Sequence, residues 1–118
     1  TDMQASRKFY DATLAALGHS AGVMDPNGRC FYRTPTGVFS LSVPINGEPA
    51  THANGGTVGF LAGTPEEAAA WHAAGLANGG TDCEDPPGVR GEPPTLYLAS
   101  LRDPAGNKVC ALHPISKG

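Results

Sequence analysis

A segment with helical spacing followed by short β-forming stretches occurs twice in this chain, and that repeat restricts the fold more than any other feature. Met3, Phe9, Tyr10, Thr13, Leu14 and Leu17 recur at helical spacing and predict a helix over 2–17. Asp2 or Thr1 can cap it, and Gly18 stops it. Stretches rich in β-formers follow at 19–24, 30–34 and 38–43. They are separated by Asp25-Pro26-Asn27-Gly28 and Thr34-Pro35-Thr36-Gly37, residues that tight turns favour. The first half therefore reads as a helix and a three-stranded meander.

Residues 44–56, with Asn46-Gly47 and Asn54-Gly55-Gly56, carry no periodicity and read as the connection between halves. A strand over 57–62 comes next. Thr64-Pro65-Glu66-Glu67 then opens a helix with a capping box and a proline in the first turn, running to about residue 78. Ala68, Trp71 and Gly75 share one face of it. A mid-helix glycine costs about 1 kcal/mol against alanine, so Gly75 predicts close approach to a sheet. After Gly79-Gly80, strands are expected at 81–84, 95–101 and 108–113, the last two joined by Asp103-Pro104-Ala105-Gly106-Asn107. Residues 85–94, with four prolines and Arg90, read as a stiff exposed loop, a rim or lid. The second helix has a strand before it and the first has none, so a strand is expected ahead of Thr1 or from another chain.

Composition narrows the function classes. Charged residues make up 16% of the 118 residues and hydrophobic ones 40%, values of a folded globular domain of one core. The net charge of -3 argues against a nucleic-acid partner. No apolar run approaches the roughly 20 residues that span a bilayer, so no membrane partner and a cytoplasmic location are expected. Cys30, Cys83 and Cys110 are odd in number and widely spaced, which disfavours a disulfide scaffold or zinc knuckle.

The helix segment Met3-Gln4-Ala5-Ser6-Arg7-Lys8-Phe9-Tyr10-Asp11, the strand start Thr57-Val58-Gly59-Phe60 with the helix after it, and Leu101-Arg102-Asp103-Pro104-Ala105-Gly106-Asn107-Lys108 stand in an order and spacing that resemble the vicinal-oxygen-chelate superfamily. That superfamily includes glyoxalases, bleomycin-resistance proteins and extradiol dioxygenases. The resemblance implies an α+β fold: two strand-helix-three-strand modules, here 1–43 and 57–118 around the 44–56 linker in one domain. Together they make a curved, cupped sheet with helices outside, the first strand being absent from this chain. It also implies homodimers and a cavity that takes a small organic molecule.

In metal-dependent members the ligands are His, Glu or Gln on the opening and closing strands of both modules. The corresponding positions here are Thr57 and Cys110, with apolar Leu41 or Phe39 in the first module. The donor set for an open divalent site is therefore lacking, and a metal is expected only if the strand ahead of Thr1 supplies a ligand. The expected reading is a metal-free binder with Phe39, Leu41, Thr57, Tyr97 and Cys110 lining the cavity. The alternative is a lyase, isomerase or dioxygenase of the same superfamily, metal-assisted with atypical ligands.

The remaining signals have plainer readings. His19, His52, His72 and His113 lack the spacing that aims imidazole pairs at one ion. Gly18-His19-Ser20-Ala21-Gly22 matches the GxSxG nucleophile elbow, but that motif needs a strand before and a helix after, and here the order is reversed. Cys110 reads as a small apolar wall residue, since nothing basic is guaranteed beside it. Asp82, Glu84 and Asp85 read as a solvated turn, their one functional use being attraction of a cation at the cavity mouth.

Overall fold

The computed structural model describes residues 2–91 and 93–115. Its elements run α1 (Met3–Ala16), β1 (Val23–Met24), β2 (Cys30–Thr34), β3 (Gly37–Leu41), β4 (Val58–Leu61), α2 (Pro65–Ala77), β5 (Thr81–Asp82), β6 (Gly88–Arg90), β7 (Leu96–Arg102) and β8 (Lys108–Pro114). Both helices start where their caps demand. Asp2 accepts a hydrogen bond from the Ala5 N–H at 3.0 Å, and Thr64 accepts one from the Glu67 N–H at 3.0 Å. Glu67 reaches past the cap to the Gly63 N–H at 2.9 Å, a variant of the capping box. No helix among the described residues is long and apolar enough to cross a membrane.

The strands form two sheets. The first is the meander β1-β2-β3, and the second has the order β4-β8-β7-β5, with β6 also paired to β7. β4 runs parallel to β8, the arrangement that a strand-helix-strand crossover requires. The outer edge of β8 is thus covered, whereas β3 pairs only with β2 among the described residues.

Phe9, Tyr10, Leu14, Tyr32, Trp71, Leu101 and Val109 form the core between helices and sheets. Gly75 behaves as its helix position predicts. A Cβ there would lie 2.2 Å from Leu101 Cδ1 and 3.1 Å from Phe9 Cε1, so α2 sits too close to β7 and α1 for a side chain.

Several boundaries differ from the sequence reading. Of 19–24, only Val23 and Met24 are strand; the preceding residues are held to α1 instead, with the Gly22 N–H donating to Asp11 at 3.0 Å and Arg7 donating to the Gly22 carbonyl at 3.2 Å. A Cβ at Gly22 would lie 2.4 Å from Cys30 Sγ, so this glycine is a packing site and no nucleophile elbow. β3 stops at Leu41, and β5 ends at Asp82. The larger correction is the proline-rich stretch, which contains strand β6. Pro86 and Pro87 precede Gly88–Arg90 and Pro93 and Pro94 follow it, so the N–H groups of 88–90 remain available for pairing with β7. Gly91, at φ +102°, makes the turn, and the Thr95 N–H donates to the Arg90 carbonyl at 2.9 Å.

Candidate functional site

Strand parity divides the second sheet into a helix-covered face and a helix-free one. Ala99 and Leu101 are fully buried against α2, so their neighbours Leu98, Ser100 and Arg102 point the other way. Register then puts Leu112, Cys110 and Lys108 beside them on β8, and Gly59 and Leu61 beside those on β4. A Cβ at Gly59 would meet Leu112 Cδ2 at 3.1 Å and Cys110 Sγ at 3.4 Å, which confirms the shared face.

The middle of this face is polar and covered by its own side chains. Ser100 donates to Glu84 Oε1 at 3.2 Å, and Lys108 pairs with Glu84. Ser100 and Cys110 are only 2% and 6% exposed, so the Lys108–Glu84 pair and the leucines roof them. The Lys108 hydrogen bond holds the Glu84 carboxyl below its usual range, and Glu84 in turn raises the Lys108 ammonium. Burial raises the Cys110 thiol, and burial with the nearby Glu84 charge raises Cys83. Both are therefore thiols rather than thiolates at neutral pH and poor nucleophiles.

The expected cavity residues do not gather in one place. Cys110 lies on the helix-free face. Tyr97 lies on the helix-covered face, in register with His113 and packed on the core. Phe39, Leu41 and Thr57 come together elsewhere, around a cavity of about 470 Å³ that Tyr10 and Asp103 also line. A second cavity of about 430 Å³ continues between β3 and β4, with Phe39, Phe60, Leu14 and His19 in its walls. The floor is aromatic: Phe39 and Phe60 meet edge to face with centroids 5.1 Å apart, and Tyr10 and Phe39 are 4.8 Å apart. This trough lies between the edges of β3 and β4 that have no pairing partner among the described residues.

At one end of the trough the modules are tied by a buried knot. Tyr10 donates to Asp103 Oδ2 at 2.6 Å across 93 residues of sequence. Asp103 also accepts from the Ala105 and Asn107 N–H groups and from Asn107 Nδ2, and Asn107 Oδ1 accepts from the Ala53 N–H at 3.1 Å. The Asp103-to-Asn107 turn thus anchors α1 and the linker as well as joining β7 to β8. Tyr10 is held far above the ordinary phenol range, first by burial and then by its bond to Asp103.

The histidines stay apart. His19 lines the trough, His72 bonds Asp82 at 2.7 Å on the α2 side, His52 sits against Gly106, and His113 bonds the Ala62 carbonyl at 3.0 Å. Among the described residues no three His, Cys, Asp or Glu side chains form a group able to hold a metal ion. Cys110 offers one buried thiol and Thr57 a neutral hydroxyl, neither of them the imidazole or carboxylate of the metal-dependent pattern. Sequence reasoning missed Ser100, Lys108 and the Lys108–Glu84 pair. Alternation along 96–102 was the signal available for Ser100, but nothing local links residue 84 to 108.

No family model matches the chain, and no curated protein matches it. Among solved structures, a glyoxalase/bleomycin resistance protein from Albidiferax ferrireducens T118 is 59% identical, over 96% of this chain and 91% of that one, with a TM-score of 0.91. A glyoxalase-related enzyme from Fulvimarina pelagi is 20% identical over 98% of this chain and 86% of its own, with a TM-score of 0.69. A glyoxalase/bleomycin resistance protein/dioxygenase family enzyme from Burkholderia phytofirmans PsJN is 17% identical over 97% and 91%, with a TM-score of 0.70. The last two support the fold alone. The first relative, together with the two-module architecture, establishes that this chain belongs to the glyoxalase/bleomycin resistance protein family of the vicinal-oxygen-chelate superfamily.

Proposed function

We propose that this protein binds a small organic molecule on the helix-free face of its second sheet, without a metal ion, and that it works as a homodimer. The observation that carries the reading is the make-up of that face. Exposed Leu61 and half-buried Leu98 and Leu112 form a strip beside a buried polar centre of Ser100 and Cys110, and no helix among the described residues covers them. Thr57 and Cys110, at positions where the superfamily resemblance implies ligands, supply a neutral hydroxyl and a protonated thiol, which favours binding over metal-assisted turnover. A second copy would close a face that is too open to enclose a ligand alone.

Amide NMR shifts recorded while a small-molecule library is titrated in test the ligand face. Perturbation concentrated on β4, β7 and β8 is expected, and perturbation confined to the helices would overturn the placement. Elemental analysis tests the metal-free part, which a stoichiometric divalent metal would refute. Sedimentation tests the dimer, which a monomer at micromolar concentration would refute.

A further inference from the structure

Among the described residues that register and hydrogen bonds place on it, the helix-free face carries more cations than acids, the opposite of the chain. The chain carries 8 Lys and Arg against 11 Asp and Glu. Yet register sets Arg102 beside Lys108, and Arg90 on the same face through its pairing with Leu96, with Glu84 as the acid reaching among them. Asp82 is turned away to His72 on the α2 side, and Asp103 is buried in its knot with Tyr10.

Glu84 is occupied by Lys108 and Ser100. Among the described residues the two arginines hydrogen-bond to backbone carbonyls, Arg102 to that of Gly106 at 2.8 Å and Arg90 to those of Asp85 and Pro86 at 3.1 and 2.9 Å, and Arg90 also feels the Glu84 charge. Carbonyls position a guanidinium without neutralising it, and one Glu84 faces Arg90, Arg102 and Lys108, so the described residues leave this face an excess of positive charge. Next to these cations lies an apolar strip. Leu61 is 67% exposed, Leu98 and Leu112 are half-buried, and Gly59 leaves the sheet surface flat.

We propose that the ligand of this face is an amphipathic organic anion, its carboxylate held by Lys108 and Arg102 and its apolar body laid along Leu61, Leu98 and Leu112. The inference rests on the ligand-face reading above and adds the ligand's class. A carboxylate takes over the role of Glu84 at Lys108, and Glu84 acts as the intramolecular stand-in that an incoming anion displaces. The sign is opposite to the cation attraction that the acidic run 82–85 implies by sequence alone.

Octanoate, octanol and octyltrimethylammonium share one tail and differ in head charge, so they are the probes, titrated against the intact protein by calorimetry and amide NMR. Octanoate is expected to bind about tenfold tighter than the cation, a difference that falls as salt is raised. Lys108→Met should weaken octanoate about fivefold and leave octanol unchanged, while Glu84→Gln should strengthen octanoate by a similar factor. Cation binding equal to or tighter than anion binding, or octanoate binding indifferent to both substitutions, would overturn the inference. If octanol shifts β4, β7 and β8 and octanoate binds no better, the charge assignment fails and the ligand face stands. If none of the three shifts those strands, the ligand face fails and this inference goes with it.

Discussion

Replacing Gly75 by alanine sets two effects of opposite sign against each other, and the structure decides between them. In an isolated helix the change stabilises by about 1 kcal/mol, because alanine loses less backbone freedom on folding. Here the new methyl would stand 2.2 Å from Leu101 Cδ1, 3.1 Å from Phe9 Cε1 and 3.3 Å from Thr13 Cγ2. Ordinary contact starts at 3.4 Å, so the Leu101 methyl must retreat by more than an ångström. All three neighbours are 0% exposed and have no solvent side to move into. Overpacking of this kind costs roughly 1–3 kcal/mol, and three blocked neighbours place it near the upper end, about 3 kcal/mol. The net expectation is a loss of about 2 kcal/mol, or a fall in Tm of about 8 °C for a domain of this size. Urea denaturation of Gly75→Ala beside Ala73→Gly, an exposed site on the same helix, measures the propensity term separately. Leu101→Val combined with Gly75→Ala should cost less than the sum of the two single changes. A more stable Gly75→Ala, or strict additivity with Leu101→Val, would refute the close-approach argument.

Two further outcomes follow from the polar contacts. Tyr10→Phe removes one of four donors from the buried Asp103 side chain and should cost about 1.5–2 kcal/mol in chemical denaturation; a change below about 0.5 kcal/mol would mean that the knot does not tie the modules. Glu84 is held below its ordinary 4.5, so its contribution is present above that value and lost as pH falls through the lowered one. The stability gap between the wild type and Glu84→Gln should therefore be open at neutral pH and close on the acid side, and a gap unchanged into acid would show that Lys108 is no partner.

The features legible in the sequence are those whose cause is local. Asp2 and Thr64 cap helices because a side-chain oxygen three residues upstream of an amide N–H can always reach it, whatever the rest of the chain does. The Asp103-to-Asn107 turn is likewise contained within five residues, and the spacing of Trp71 and Gly75 already announced a close helix-sheet contact. Those local signals, in repeated order, were enough for the two modules and for the superfamily. β6 was hidden because its prolines flank the strand without entering it, and only β7 supplies the partner that makes 88–90 extended. The bonds that tie Gly22 to Asp11 and Arg7 of α1 replaced the start of a strand that composition favoured.

Site geometry was least legible. Phe39, Leu41, Thr57, Tyr97 and Cys110 are neighbours by the superfamily resemblance, but strand parity and register distribute them between a trough and two faces of a sheet. Lys108 and Glu84 are separated by 24 residues and meet because β8 and the end of β5 flank β7. Tyr10 and Asp103 meet across 93 residues because α1 packs over the second module's turn. Local propensities determined the helices, the turns and most strands of this protein, in their order, with β6 and the shortened β1 set by tertiary contacts. Tertiary structure alone decided which side chains share a surface and what charge that surface carries, because pairing register and burial depend on residues far apart in the chain.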